Sequence, residues 1–457
     1  MTDQRQQALR IFQAGVAAAD PYQAVKRCLS VDHQGITIAL DLQEPQKCRP
    51  GCWLKIHLIA FGKAACSMAE AAQETLPASR LAGLGIAVTN YENVRPVKQF
   101  EVIGAGHPLP DLAGLDAAQQ IAAKVAAAQQ DELVLVLVSG GGSALLPAPH
   151  PDITLAEKIQ TTELLLASGA NINQINCVRK HLSTLKGGGL ARLAAPAKLH
   201  ALILSDVLGD DVSVIASGPT VPDETTFVQA IAVLKAQAIW EKVPAKVRAL
   251  LIKGEAGGAL ETPKSQDPVF DGTGYTLIGS NALSVKASIL AAQAEQYDTW
   301  LYSDNLQGEA RDAAEQLARH AQQLLQAGLA RPTALIAGGE TIVRLKGTGR
   351  GGRNQEFALA FALAAERYHL PPCWTFLSGG TDGRDGPTDA AGGLVDGFTL
   401  ARIEAAGINA QALLDNNDSY RALQQSQDLL DAGATGTNVA DLQVLLIQPS
   451  GVNAERS

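Results

Sequence analysis

Apolar residues in this chain come as short unbroken runs, each followed by a longer, alanine-rich amphipathic stretch. Residues 133–138, Leu-Val-Leu-Val-Leu-Val, suit a strand buried on both faces, as in a parallel sheet covered by helices. Residues 55–61, 84–89, 100–105 and 199–205 read as further strands, and 63–77, 113–129, 154–168 and 171–186 as the helices that separate them. That alternation predicts βαβ units and a parallel sheet. Residues 206–223 are a Gly/Asp/Pro-rich loop, and 254–274 is the best linker candidate. Beyond it the alternation resumes at 275–279, 281–295, 297–303 and 308–327. It continues with 333–337, 341–346, a helix from about 353, and strands at 373–378 and 441–447. In 308–327, Ala310, Ala313, Leu317, Ala321, Leu324 and Leu325 share one stripe, the pattern of a helix packed on a core. The fold class expected is α/β, in two domains over 1–250 and 275–457.

Composition narrows the function. At 457 residues the chain exceeds a single core, and 46% hydrophobic with 18% charged residues is globular. A net charge of −9 argues against a general nucleic-acid surface, although local basic clusters can still hold a small anion. No apolar run is long enough to span a membrane. Met1-Thr-Asp-Gln-Arg leads into a short amphipathic helix and not into an apolar leader. The six cysteines are scattered, and the lone Cys48/Cys52 pair lacks a second ligand pair, so reduced thiols in a cytoplasmic protein are expected over zinc.

The chemistry gathers at strand ends. Ser139-Gly-Gly-Gly-Ser143 follows the apolar run directly, and Ser378-Gly-Gly-Thr-Asp382 follows the strand at 373–378. Open α/β sheets bind ligands outside the carboxyl ends of their strands. Lys63, in Phe61-Gly-Lys-Ala-Ala65, stands at a helix start, where the dipole disfavours a cation unless an anion is bound there; the plain alternative is a solvated lysine. A basic, glycine-rich segment runs from Gly338-Gly339-Glu340-Thr341 through Arg344 and Lys346 to Arg350-Gly-Gly-Arg353-Asn354. It offers forked donors for phosphate oxygens without being a Walker A sequence; the alternative is a flexible solvated loop. Asp206 and Asp382, the acids nearest their strand ends, suit Mg²⁺, against an alternative of Asx turns. Gly104-Ala-Gly106-His107 begins a dinucleotide fingerprint but has no third glycine, which leaves His107 substrate-facing or structural. Lys186 before Gly187-Gly-Gly189 reads as a helix C-cap, whereas Arg179 and Lys180 have no such explanation and could bind a carboxylate.

Together these segments resemble the glycerate 2-kinases of the MOFRL-containing family, whose members are often labelled hydroxypyruvate reductases. The motifs that carry the resemblance span nearly the whole chain in the family's order. They are Phe61–Ala65, Gly106–Asp111, Val138–Ala144, Ser205–Asp211, Ser217–Thr220, Gly338–Thr341, Gly349–Glu356, Gly379–Gly383 and Thr435–Asn438. The one departure is an insert-like segment from Gln43 to Cys52, away from the motifs. The resemblance implies transfer of the γ-phosphoryl group of ATP, with Mg²⁺, to the 2-hydroxyl of D-glycerate. It also implies a Rossmann-like N-terminal domain, a smaller α/β C-terminal domain and a cleft between them. The family's key lysine falls on Lys63 and its key arginine on Arg353. With them Asp206 is read as catalytic, Asp206 and Asp382 as metal ligands, and His107, Arg179 and Lys180 as substrate-facing. The nucleotide is expected on Ser139, Gly140, Gly141, Gly142, Ser143, Gly339, Glu340, Arg350 and Asn354. Rival readings are an NAD(P)H-dependent hydroxypyruvate reductase, disfavoured by the incomplete fingerprint, and a non-catalytic binder of a phosphorylated metabolite. No membrane or nucleic-acid partner is expected, and homo-oligomerisation is left open.

Overall fold

The structure, a computed structural model, describes residues 3–449 apart from 34, 43 and 45. Met1, Thr2 and Gln43, the start of the insert-like segment, lie outside the described residues. The chain divides into two compact units, residues 21–278 and residues up to 20 together with those from 279 onward.

In the unit 21–278, β1 (Leu29–Asp32), β2 (Gly35–Ala39) and β3 (Cys48–Gly51) make a small antiparallel sheet. The main sheet comprises β4 (Ile56–Phe61), β5 (Gly85–Asn90), β6 (Phe100–Ala105), β7 (Leu133–Val138), β8 (Lys198–Leu204) and β9 (Thr273–Gly279). Its order is β6-β5-β4-β7-β8-β9, with β4 to β8 mutually parallel. This is the doubly wound, Rossmann-like order. Every residue of β4 and β7 is buried, because both faces are covered, which is why the apolar runs are unbroken. Ala117, Ala118, Ile121 and Val125 of helix Leu112–Ala126 share a core with Val134, Val136 and Val138. At about 1.5–3 kcal/mol per fully buried Val or Leu, β7 outweighs any single exposed ion pair, worth under about 1 kcal/mol. The order reverses between β4 and β7, so their carboxyl ends flank the switch point where such sheets take ligands.

Five of these strands start and end within one residue of the sequence expectation. The helix expected over 171–186 is shorter, Ile172–His181, because Ser183 Oγ accepts the backbone N–H groups of Leu185 and Lys186 that a helix would use. Residues 254–274 lie inside this unit and carry a 3₁₀ turn at Pro268–Phe270 before β9.

The other unit holds β10 (Asp298–Leu306), β11 (Thr333–Gly339), β12 (Trp374–Gly380), β13 (Gly392–Asp396), β14 (Leu429–Leu430) and β15 (Asp441–Ile447). Their order is β10-β11-β15-β12-β13-β14, and β15 pairs antiparallel with β11 and β12. Alternate residues of β15 serve opposite faces, as the strand period requires. Leu442, Val444 and Leu446 pack with Ile11 and Phe12 of helix Asp3–Ala18 and Val285 of helix Asn281–Ala294. Leu445 and Ile447 pack with Leu317 of helix Ala310–Ala327 and Phe357 and Phe361 of helix Arg353–Arg367. The expected strand at 341–346 does not form. Only Ile342 makes a bridge, to Glu309, and with Ile342 and Leu345 exposed that run has no sheet to cover it. Strands β13 and β14 were hidden from the sequence by Gly392-Gly393 and by the two-residue length of β14.

Candidate active site

The ends of β4 and β7 are joined through Ser139. Its N–H donates to Phe61 O, its Oγ accepts from Ala64 N at 3.0 Å, and Lys63 N donates to Gly140 O at 2.9 Å. Gly62 has φ +120°, and any Cβ there would collide with Ser139 Oγ, so only glycine fits. Ser139 is buried, and its hydroxyl accepts from the residue that precedes helix Ala65–Thr75. Gly142 is also buried, facing Phe61 and Ala216, and Ser143 Oγ lies 2.8 Å from Ser217 Oγ, which donates to Asn176 Oδ1. The half-buried backbone of Gly140 and Gly141 is what this loop can offer a ligand.

Three side chains converge on those two glycines. A Cβ at Gly140 would collide with Asp206 Oδ2, and one at Gly141 would sit 3.1 Å from His107 Nε2 and 3.4 Å from Lys63 Cγ. A lysine, an imidazole and a carboxylate from three different strand ends therefore meet at the switch point. Burial, and then the neighbouring Lys63, hold His107 below the usual imidazole range, so at neutral pH it is an acceptor. Gly140→Ala is expected to push Asp206 aside. Steady-state kinetics should show kcat/KM reduced by about a hundredfold, the scale of a 1 Å misplacement, with an unchanged circular dichroism spectrum; near-native turnover would remove Asp206 from the site.

The substrate-facing assignments divide. Lys180 is buried and ion-paired, Nζ to Asp223 Oδ1 at 3.2 Å, so its charge is met within the fold. Arg179 is half-buried and lines a cavity together with Lys186 and Lys158. Lys186 is no C-cap: its helix ended at His181, and its buried Nζ donates to Ser143 O at 3.0 Å. The sequence reading missed Lys158 altogether.

In the other unit, Arg353 opens helix Arg353–Arg367, and its fork grips the buried Asp441, Nε–Oδ2 at 2.6 Å and Nη2–Oδ1 at 3.0 Å. Its Nη1 reaches Glu340 Oε1 at 2.9 Å. Burial opposes the arginine's charge, but Asp441 and then Glu340 outweigh it and raise its pKa. Three of its five N–H groups are engaged, which leaves two. The expected phosphate seat at this helix N-terminus is taken by Asp385, whose carboxylate accepts from Asn354 N at 3.1 Å and Gln355 N at 2.8 Å. Burial, opposed by those two N–H groups, pushes Asp385 up to about 6. The neighbouring glycines answer to protein packing: a Cβ at Gly352 would strike Asp385. Asn354 is buried and accepts from Ser378 Oγ. Arg350 lies over the Tyr420 ring at 4.7 Å, with Nε donating to Pro387 O. Gly339 is buried against Leu306, Glu340 is exposed, and Asp382 makes an Asx turn with Arg384 N.

Among the described residues no group of three or more His, Cys, Asp or Glu is arranged to hold a metal. A Mg²⁺ held largely by nucleotide oxygens and water needs only one or two carboxylates. Asp206, pressed against Gly140 beside the lysine, has the chemistry to be one of them.

A Rossmann-like sheet whose switch point presents lysine, carboxylate and bare glycine backbone defines an anion-handling α/β protein. Comparison with known proteins narrows the class. Residues 7–252 match a family described as a domain of unknown function, DUF4147, and residues 333–441 match the MOFRL family. Glycerate 2-kinase of Pyrococcus horikoshii is 38% identical over 97% of this chain and 98% of its own. D-glycerate 2-kinase of Thermotoga maritima is 42% identical over 86% and 91%. A protein of Agrobacterium vitis, provisionally named a hydroxypyruvate reductase, is 40% identical over 97% and 94%. The crystal structure of Thermotoga maritima glycerate kinase superposes with a TM-score of 0.85, covering 97% of this chain and 99% of that one. The chain belongs to the glycerate kinase family.

Proposed function

We propose that this chain transfers the γ-phosphoryl group of ATP, as its Mg²⁺ complex, to the 2-hydroxyl of D-glycerate, giving 2-phosphoglycerate and ADP. The observation that carries the reading is the convergence of Lys63, His107 and Asp206 on Gly140 and Gly141 at the switch point. The names of the related kinases support the substrate. Phosphoryl transfer asks little covalent chemistry of a protein; it needs positioning and stabilisation of charge on the transferring oxygens. Lys63 supplies that charge, and the Gly140–Gly141 backbone allows close approach. Asp206 holds Mg²⁺, whose part is to neutralise phosphate charge. Neutral His107 takes the hydroxyl proton at Nε2 in this reading. Arg353 is the arginine that the family resemblance assigns to the reaction, and it keeps two N–H groups uncommitted.

The six free cysteines support a cytoplasmic setting, and no described helix is long and apolar enough to cross a membrane. The reductase reading has the Agrobacterium relative's name behind it, but after Gly62 the first strand-to-helix turn carries Ala64 and Ser67 where a dinucleotide fingerprint would place its other glycines. Protein, D-glycerate and MgATP coupled to enolase without phosphoglycerate mutase should yield phosphoenolpyruvate directly. A signal that needs the mutase would make the product 3-phosphoglycerate, and NADH oxidation with hydroxypyruvate would restore the reductase.

A further inference from the structure

Helix Leu155–Ala167 begins with a capping box, in which Thr154 and Glu157 satisfy each other's backbone N–H groups. That box satisfies two of the backbone donors at the helix start. Lys158 follows at once, where the helix dipole disfavours a cation. The residue is 6% exposed, its Nζ has no hydrogen-bond partner, and it lines a cavity of about 290 Å³. Lys186 and Arg179 line the same cavity, whose other walls are largely apolar, Leu109, Pro110 and Ile159 among them. Glu163 contributes a carboxylate to the lining. Lys186 uses one of its three donors on Ser143 O.

The three cations repel one another. Burial and then Arg179 hold the Lys158 ammonium down to about 7, and burial, Lys158 and Arg179 hold Lys186 well below its ordinary value. An unpartnered buried ammonium is costly, and no feature of the fold needs it: the capping box already starts the helix, and Lys180–Asp223 is a separate pair. An anion entering the cavity would complete all three cations at once. Pro108 and Ser143 set the cavity beside His107 and the glycine loop, so it opens next to the residues described above.

We propose that Lys158, Arg179 and Lys186 form the subsite for an oxyanion of the substrates, the carboxylate of the acceptor acid or a phosphate of the nucleotide. Which substrate supplies it rests on the proposed reaction; the subsite itself does not.

The test reads binding without turnover. Shifts in unfolding temperature are measured with D-glycerate, ADP and inorganic phosphate, each alone, on the full chain, on Lys158→Met and on Arg179→Gln. KM values for D-glycerate and ATP are measured in parallel. Unliganded Lys158→Met is expected to unfold at a higher temperature than the wild type, since an apolar chain replaces a buried cation. It should nonetheless bind its anion at least about tenfold more weakly. Weakening confined to D-glycerate assigns the carboxylate, and weakening confined to ADP and phosphate assigns the nucleotide. Should Lys158→Met fail to fold, Arg179→Gln, at a half-buried position, carries the same comparison. The proposal is overturned if both variants bind all three probes as the wild type does, or if the wild type responds to none. A protein that binds D-glycerate through Lys158 yet makes no 2-phosphoglycerate would refute the reaction and keep the subsite.

Discussion

Lys63→Ala should lower kcat by roughly a hundredfold or more, the loss expected when an electrostatic contact to the transition state is removed. The fold should survive, because what anchors this residue is backbone. Its N–H donates to Gly140 O, and its carbonyl accepts from Thr89 Oγ1 at 3.2 Å and Asn93 Nδ2 at 3.0 Å. None of those bonds needs the side chain, whose Cγ lies along Gly141. Thermal unfolding should therefore match the wild type while turnover collapses. A variant that turns over near the wild-type rate would leave the lysine a bystander and take the principal support from the proposed chemistry.

The second large effect lies in the other unit. Arg353→Ala strands Asp441, fully buried in the central strand, without its cation. Burial already pushes that carboxyl up, with Arg353 opposing. Breaking such a pair from one side costs about 3 kcal/mol, at the low end of the range because the arginine is partly solvated. Denaturant titration should show that loss, and adding Asp441→Asn should recover more than half, since the stranded charge is then gone. Turnover separates the two roles of the arginine. If its two uncommitted N–H groups serve the phosphoryl group, the double variant regains stability but not kcat. Recovery of both would make the arginine a brace for the glycine loop alone.

The fold was legible where a local pattern settled it. The β7 run, buried on both faces, could hardly be anything else, and the glycines after it marked the ligand loop. Within that loop the sequence could not say which members face out. Ser139 and Ser143 look like ligands on paper, yet their hydroxyls are engaged by Ala64 and Ser217, residues brought near only by the folded sheet. The partner at the start of the Arg353 helix is hidden from the sequence for a related reason: Asp385, which fills the helix N-terminus, comes from a loop beyond the following strand. The C-cap expected at Lys186 does not form, because the glycine triplet suggests a late helix end while Ser183 ends the helix earlier. Lys158 was findable. The dipole argument that singled out Lys63 applies equally to a lysine directly after a Thr154–Glu157 capping box.

Helix Asp3–Ala18 packs with helix Asn281–Ala294 and β15, and Arg5 is ion-paired to Asp396 and Asp428. This helix is made before its partners: helix Asn281–Ala294 emerges about 260 residues later, a wait on the order of 13–50 s at typical ribosome speeds, and β15 later still. A lone helix of 16 residues is marginal in water, so Ile11 and Phe12 must pass that interval uncovered while the unit 21–278 is completed. The nascent chain thus carries an apolar face on this helix that stays bare until those partners are made. By the same logic a fragment cut at residue 279 would inherit the bare face of Leu442, Val444 and Leu446, and a peptide of residues 3–18 added in trans is the piece that would cover it.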